Sequence, residues 1–361
     1  MKILVIGGTA FLGRHIVREM LSRGHTVTLF NRGVENPELF PEAERITGDR
    51  RSDLAKLRGR RFDVVVDTCG YLPEDVAASS AALAASQCYV FISSVAVYRD
   101  LFDGTSEDAP LHPTVGSLTL SPTTLGPLKA ACEHALIKYF PGRALIVRPG
   151  LIVGPDDIAS RARVDAKRRN VGPLDYDSFS PRFPYWVQRF EAGGCVLLPG
   201  RPAAPVQVID VRDVAEWIVT MIEQRRWGTF NATGPITTMS ALMKTCQNRE
   251  AECEWVDDSF LLRHGVYPFV ELPLWTLPGA LNEALLRVPA TPATESGLRY
   301  RSLGETVEAV RVWAREHPHL AIAPRTPVLS RERERDLLIA WHHASSSGSA
   351  DKTAPSATDT S

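Results

Sequence analysis

Lys2-Ile3-Leu4-Val5-Ile6-Gly7-Gly8-Thr9-Ala10-Phe11-Leu12-Gly13 is the stretch on which the fold turns. A short apolar run stops abruptly at two glycines, which predicts a strand entering a tight turn. Beyond the turn, Ile16, Val17, Met20 and Leu21 share one face at helical spacing, and Gly24 suits a left-handed cap after the last turn. Strand, turn and helix in this order aim the unpaired amides of the helix start at an anion. Gly7 allows the turn, Gly13 lets helix and strand approach closely, and Ala10 stands where a middle glycine would be. Gly7, Thr9, Ala10, Phe11, Leu12 and Gly13 are therefore expected to cradle the pyrophosphate of a dinucleotide.

Glycine-rich turns open many helices that bind nothing, so the second strand matters. Thr26-Val27-Thr28-Leu29-Phe30 ends at Asn31-Arg32, near the distance at which such folds inspect the adenosine ribose. No carboxylate stands there to take both ribose hydroxyls or to repel a 2′-phosphate, and Arg32 could pair with that phosphate. The expected cofactor is NADP or NAD, with NADP slightly favoured. In the alternative, Arg32 is a solvated loop residue and Asn31 serves the ribose of NAD.

Four further strands follow: Arg45-Ile46-Thr47-Gly48-Asp49, Asp63-Val64-Val65-Val66-Asp67, Tyr89-Val90-Phe91-Ile92-Ser93 and Ala144-Leu145-Ile146-Val147-Arg148, with helices around 73–86 and 126–139. This alternation predicts an α/β fold, a Rossmann-type doubly wound parallel sheet. Ligands of such sheets bind beyond the C-terminal strand ends, where Asp49, Asp67, Ser93 and Ser94 lie. Asp49 is placed at the adenine edge, Asp67 at the cofactor and Ser94 at the reacting group; Asp67 and Ser94 could equally be loop caps.

The 361 residues can bury a large core, and 23% charged with 44% hydrophobic content is ordinary for a soluble globular enzyme. A net charge of −1 gives no general attraction to nucleic acid or anionic membrane, so neither is an expected partner. The start of the chain lacks the pattern of a signal peptide and no run has the length of a membrane span, so a cytoplasmic location is expected. Cys69, Cys88, Cys132, Cys195, Cys246 and Cys253 show no metal-binding spacing; they read as reduced core residues, and no metal is expected.

The N-terminal NAD(P)-binding domain is placed at 1–154, with 206–232 returning to it through a Gln207-Val208-Ile209 strand and a Val214 to Gln224 helix. Thr229-Phe230-Asn231-Ala232 then begins the departure to a smaller C-terminal substrate-binding region, formed by 155–205 and 233–325. A helix over 326–344 and a disordered tail over 345–361 complete the chain. The segment from Asp156 to Pro181 carries Arg161, Arg163, Lys167, Arg168, Arg169, Asp175, Tyr176 and Asp177, and reads either as a substrate lid or as a surface insertion. Trp255, Tyr267, Phe269 and Trp275 read as core or as pocket lining.

Several motifs together resemble the extended or atypical short-chain dehydrogenase/reductase superfamily, in its NAD-dependent epimerase/dehydratase group. The glycine turn is similar to that of the branch holding chloroplast stem-loop RNA-binding proteins and many bacterial reductases. Ser93-Ser94-Val95-Ala96-Val97-Tyr98 resembles the serine motif, with Ser94 at the catalytic position. Gly126-Pro127-Leu128-Lys129-Ala130-Ala131-Cys132-Glu133 resembles the segment after the catalytic tyrosine, and Arg148-Pro149-Gly150-Leu151-Ile152-Val153-Gly154-Pro155 the loop beside the nicotinamide, which brings in Pro149 and Ile152. Val208-Ile209-Asp210-Val211-Arg212-Asp213-Val214-Ala215 matches a later strand-to-helix junction, and the similarity covers about residues 1–320.

The resemblance implies a tyrosine whose phenol moves the proton that accompanies hydride transfer, and a lysine that lowers its pKa and holds the nicotinamide ribose. Lys129 stands at the lysine position, but the tyrosine position four residues earlier is Leu125, which can do no proton work. Thr123, Thr124, Tyr98 and Tyr71 are the replacements weighed, and none stands out. Two functions follow. The first is an NAD(P)-dependent oxidoreductase of a hydroxyl- or carbonyl-bearing small molecule, with epimerase or dehydratase action on a sugar-like substrate included and a homodimer left open. The second is a non-redox NAD(P)-binding regulator with a protein or RNA partner.

Overall fold

The computed structural model describes residues 1–102, 104–113, 118–121, 123–157, 182–248, 250–318 and 328–350. Six strands of the main sheet come from the N-terminal part: β1 (Lys2–Ile6), β2 (Thr26–Asn31), β3 (Glu44–Thr47), β4 (Val64–Asp67), β5 (Cys88–Ile92) and β6 (Ala144–Pro149). After β7 (Leu151–Val153), β8 (Gly194–Pro199) and β9 (Pro205–Asp210), the seventh is β10 (Gly228–Ala232), and the sheet order is β10-β6-β5-β4-β1-β2-β3. Every pair in it is parallel. Parallel strands are covered on both faces, which explains why β4 and β5 are buried along their whole lengths.

The two faces follow from the strand period. Ile3, Val5, Val64, Val66 and Val90 pack under α1 (Phe11–Ser22) and, later in the chain, the helix Val211–Glu223. Leu4, Ile6, Val65, Tyr89 and Phe91 pack against Val76 and Leu83 at α2 (Pro73–Ala82) and against Cys132 and Leu136 of α3 (Leu125–Ile137). The chain leaves β1 toward β2 and β3, then resumes on the other side at β4, so the crevice of the topological switch lies outside the ends of β1 and β4.

The C-terminal region builds its own core. It contains α4 (Arg182–Glu191), α5 (Val211–Glu223), β11 (Ile236–Thr238), α6 (Met239–Cys246), β12 (Ala251–Val256), α7 (Asp258–Arg263), α8 (Leu281–Ala284), α9 (Thr291–Glu295), α10 (Leu303–Glu316) and α11 (Arg331–Ala350), of which α5 and α9 pack instead on the core of the first domain. Trp186, Phe190, Leu197, Val206, Leu242 and Trp275 are its buried centre. Its strands make a three-stranded sheet, β11-β9-β7, and a two-stranded one, β12-β8.

Three expectations need correction. The Gln207-Val208-Ile209 strand belongs to the small sheet, because it pairs with β7 and β11 while the buried Gln207 amide donates to the carbonyls of Gly234 and Val288 at 2.9 Å. The return to the main sheet is made by α5 and β10, so Thr229 to Ala232 completes the first domain rather than leaving it. The last helix runs through Ala350, past Ser345 and in spite of Gly348, and Ser346 bonds back to the His342 carbonyl; residues 351–361 lie outside those described. Cys195 and Cys253 are exposed, on the β8 and β12 strands, whereas burial pushes the thiols of Cys88, Cys132 and Cys246 up to about 12.

Among the described residues, no helix is long and apolar enough to cross a membrane, and no group of three His, Cys, Asp or Glu side chains is placed to hold a metal ion.

Candidate dinucleotide and active site

An open cleft of about 210 Å³ lies at the switch point, lined from Gly7, Gly8, Thr9 and Ala10 through Asn31 and Arg32 to Asp49, Arg50, Arg51 and Tyr71. Gly7 and Gly8 have φ of +99° and +88°, a backbone that L side chains rarely adopt. A Cβ on Gly7 would sit 2.5 Å from the Thr68 hydroxyl, and one on Gly13 would sit 3.1 Å from the Gly8 Cα. Turn, α1 and the end of β4 therefore close on one another only because both positions are glycine. Ala10 occupies the N-cap in extended backbone and its side chain makes no cap hydrogen bond, and the positive end of the helix dipole there favours an anion. Gly7→Ala should abolish measurable dinucleotide binding and lower thermal stability, and isothermal titration on a folded variant that still binds would overturn the cradle assignment.

Two residues that sequence reasoning passed over hold this turn in shape. The Thr68 hydroxyl donates to the Ile6 carbonyl at 3.0 Å and accepts from the Gly8 amide at 3.3 Å, and the Asn36 amide donates to the Thr9 carbonyl at 2.7 Å. Asn36 has φ of +43°, a conformation asparagine tolerates, and an asparagine in a loop that also holds Gly33 was the available signal.

Asn31 is in the lining, but its side chain serves the fold. Its amide donates to the Gly7 carbonyl at 2.8 Å, and its oxygen accepts from the Gly33 amide at 3.0 Å and from Arg45 at 3.3 Å. Arg32 lies in the lining next to Gly33, Val34 and Glu35. Asp49 is also there, with its carboxylate turned onto the Arg51 amide at 3.0 Å.

Asp67 does not face the cofactor cleft. It is fully buried and grips Arg50 through both oxygens at 2.9 and 2.8 Å, with the Tyr89 hydroxyl donating to it at 2.9 Å. Burial raises its pKa, but Arg50 outweighs burial and the net shift is downward. The carboxylate end of β4 is thus an internal ion pair that fixes Arg50, which is the residue that reaches the cleft. Phe11 and Leu12 are likewise absent from the lining and pack their side chains in the core beneath the sheet, leaving only their backbone to the turn. Pro149, at the buried end of β6, and Ile152, packed against the same core, also lie outside it.

The residues expected at the reacting end, Ser94 and Lys129, lie outside this lining. Ser94 caps a 3-10 turn over Val95–Val97 and its hydroxyl accepts from the Ala96 amide at 3.1 Å, so the capping reading holds for the present geometry. Lys129 is buried, and its ammonium donates to the carbonyls of Gly70 and Ile92, each at 2.7 Å. Burial lowers its pKa, with Cys132 and Asp67 opposing. The Tyr71 ring centroid lies 4.6 Å from the same ammonium. Leu125 is the first residue of α3, one turn before Lys129 and on the same face.

Of the weighed replacements, Tyr98 is committed elsewhere: its hydroxyl donates to Asn231 at 2.6 Å and accepts from Arg148 at 2.9 Å. Thr124 donates to the Thr119 carbonyl at 2.6 Å, and Thr123 is exposed beside Ser121. Arg148 is also paired with Glu133 at 2.7 Å, and Glu133 accepts a short bond from Ser93, so Ser93 belongs to the core rather than to a ligand. The basic segment from Arg161 to Asp177 lies outside the described residues. Trp275 is core, with its indole donating to Asp258 at 2.6 Å, whereas Tyr267 is 67% exposed; none of the four C-terminal aromatics lines the cleft.

Comparison with known proteins agrees with this geometry. The sequence profile described as the NAD dependent epimerase/dehydratase family matches residues 3–163. A chloroplast stem-loop binding protein of 41 kDa from Arabidopsis thaliana is 27% identical over 267 residues, which is 68% of this chain and 62% of that protein, so the chain spans less than two thirds of its relative. UDP-glucose 4-epimerase from Thermotoga maritima superposes with a TM-score of 0.61 at 18% identity, covering 88% of this chain and 100% of that one. UDP-glucuronic acid 4-epimerase from Bacillus cereus, solved with NAD, gives 0.57 at 17% over 88% and 99% of the two chains. dTDP-glucose 4,6-dehydratase from Bacillus anthracis, also with NAD, gives 0.58 at 16% over 88% and 98%. At such identities these structures establish a Rossmann-type fold, and residues 3–163, which take in the glycine turn, the serine motif and Lys129, are similar to the NAD dependent epimerase/dehydratase family.

Proposed function

We propose that the protein binds NAD or NADP in the cleft and oxidises or reduces a hydroxyl- or carbonyl-bearing small molecule, with transient oxidation in an epimerase or dehydratase of a sugar-like substrate as the form the family suggests. The observation that carries the reading is Lys129. Of its three ammonium protons, two are taken by the Gly70 and Ile92 carbonyls, which leaves one for a ribose hydroxyl. The cofactor supplies hydride exchange when bound; the chain's part is to hold its phosphates on the α1 amides, its ribose on Lys129, and the reacting oxygen on Ser94. Arg32 in the lining supports NADP, while the NAD of the superposed enzymes supports the other choice.

A second reading, a dinucleotide-binding regulator with an RNA or protein partner, is favoured by Leu125 and by the stem-loop binding relative. The test is the identity and redox state of nucleotide released from freshly purified, denatured protein, followed by titration of the emptied protein. Stoichiometric retained cofactor supports internal hydride return. Reversible NADPH binding supports a dissociable reductase, and binding of neither nucleotide defeats the reading.

A further inference from the structure

We propose that His112 is the acid/base group that replaces the missing phenol, moving the proton for the oxidoreduction proposed above, on which this inference rests. The imidazole Cδ2 lies 3.1 Å from where a Cβ on Gly126 would sit, so the ring packs on the first turn of α3, at the residue next to Leu125. The same Cβ would overlap the Ala96 carbonyl oxygen. Glycine at 126 therefore lets the turn that begins at Ser94 close on α3. The histidine is pinned to that turn from the other side, because its own amide donates to the Val97 carbonyl at 2.8 Å and the preceding Leu111 bridges to Tyr98. Three separate segments, the turn that follows Ser94, the loop at His112 and the start of α3, thus meet at Gly126.

The ring is suited to the work. It is only partly buried, and burial holds its pKa below the usual histidine value, with Asp100 raising it and Arg99 lowering it by less. The contact from α3 is Gly126, which carries no charge. The imidazole is therefore neutral at neutral pH and able to accept a proton. In the oxidation direction, the substrate O–H bond breaks and its proton passes to the free imidazole nitrogen. The carbinol C–H bond breaks, its hydride passes to a nicotinamide ring, and the C–O bond becomes a carbonyl. In reduction the imidazolium returns the proton to the carbonyl oxygen. Tyr71 is the competing group, since it touches Lys129 from within the nucleotide cleft.

The first readout needs no substrate. In the full-length protein labelled with 15N-histidine, the His112 imidazole is expected to be neutral at pH 7 and to shift both on adding NAD or NADPH and on Leu125→Tyr, with His112→Gln giving the assignment. A titration curve that neither change alters overturns the proposal. The second readout is NADPH- or NADH-dependent reduction of diacetyl. His112→Gln should lower turnover by about 10²-fold with nucleotide affinity unchanged, and adding Leu125→Tyr to it should restore turnover. Loss in Tyr71→Phe with turnover kept in His112→Gln assigns the proton to Tyr71 and overturns the proposal. Wild-type protein that binds no nucleotide removes the cofactor reading, and the His112 role with it; binding with an unresponsive His112 removes the latter alone.

Discussion

Glu133→Ala is expected to cost about 3–5 kcal/mol of folding stability, the range for removing one member of a buried ion pair. Glu133 and Arg148 are both almost fully buried, and the carboxylate accepts from the Arg148 Nε at 3.0 Å, from its terminal nitrogen at 2.7 Å and from the Ser93 hydroxyl. Without it, Arg148 keeps the Tyr98 hydroxyl and the Glu107 carbonyl but no countercharge in contact. Most of the loss is the penalty for a guanidinium stranded in low dielectric, so Glu133→Leu combined with Arg148→Met should recover much of it. Urea denaturation of the three variants decides: a single variant within about 1 kcal/mol of wild type shows that the pair does not carry the core between α3 and β6.

Lys129→Ala is expected to weaken NAD(P) binding by about 10- to 100-fold, from about 1.5–3 kcal/mol for a hydrogen bond to a charged group. The loss has a structural component, because the ammonium also joins the Gly70 and Ile92 carbonyls beneath Tyr71 and Phe91. Lys129→Met fills the same space without the charge and separates the two effects. If fluorescence titration gives both variants the wild-type affinity, Lys129 has no part in holding the cofactor. If only the alanine variant weakens, the residue acts through packing.

The parallel sheet was legible because its strands are uniformly apolar and its glycines lie at an abrupt boundary. Val64 to Asp67 and Tyr89 to Ile92 needed no tertiary information to be placed. Partner choice was not legible. Gln207 to Ile209 reads as a strand, but its burial beside Gly234 and Val288 is decided by residues far along the chain. Asp67 looked like a ligand at a strand end because nothing local shows that Arg50, in an arginine pair resembling a solvated loop, turns inward to neutralise it. Leu125 and Lys129 were legible only through the resemblance, as the positions of its tyrosine and lysine. His112 stayed hidden because a lone histidine before Pro113 has no periodicity, and only the close approach permitted by Gly126 brings it to α3.

The described cleft draws all of its lining from between Ile6 and Asp75, whereas Ser94, His112 and Lys129 come from later segments. In terms of folding order, the lining needs no residue beyond Asp75, and loop-closure entropy rises with separation. During synthesis this wall is therefore complete in sequence before Ser94 and Lys129 have emerged.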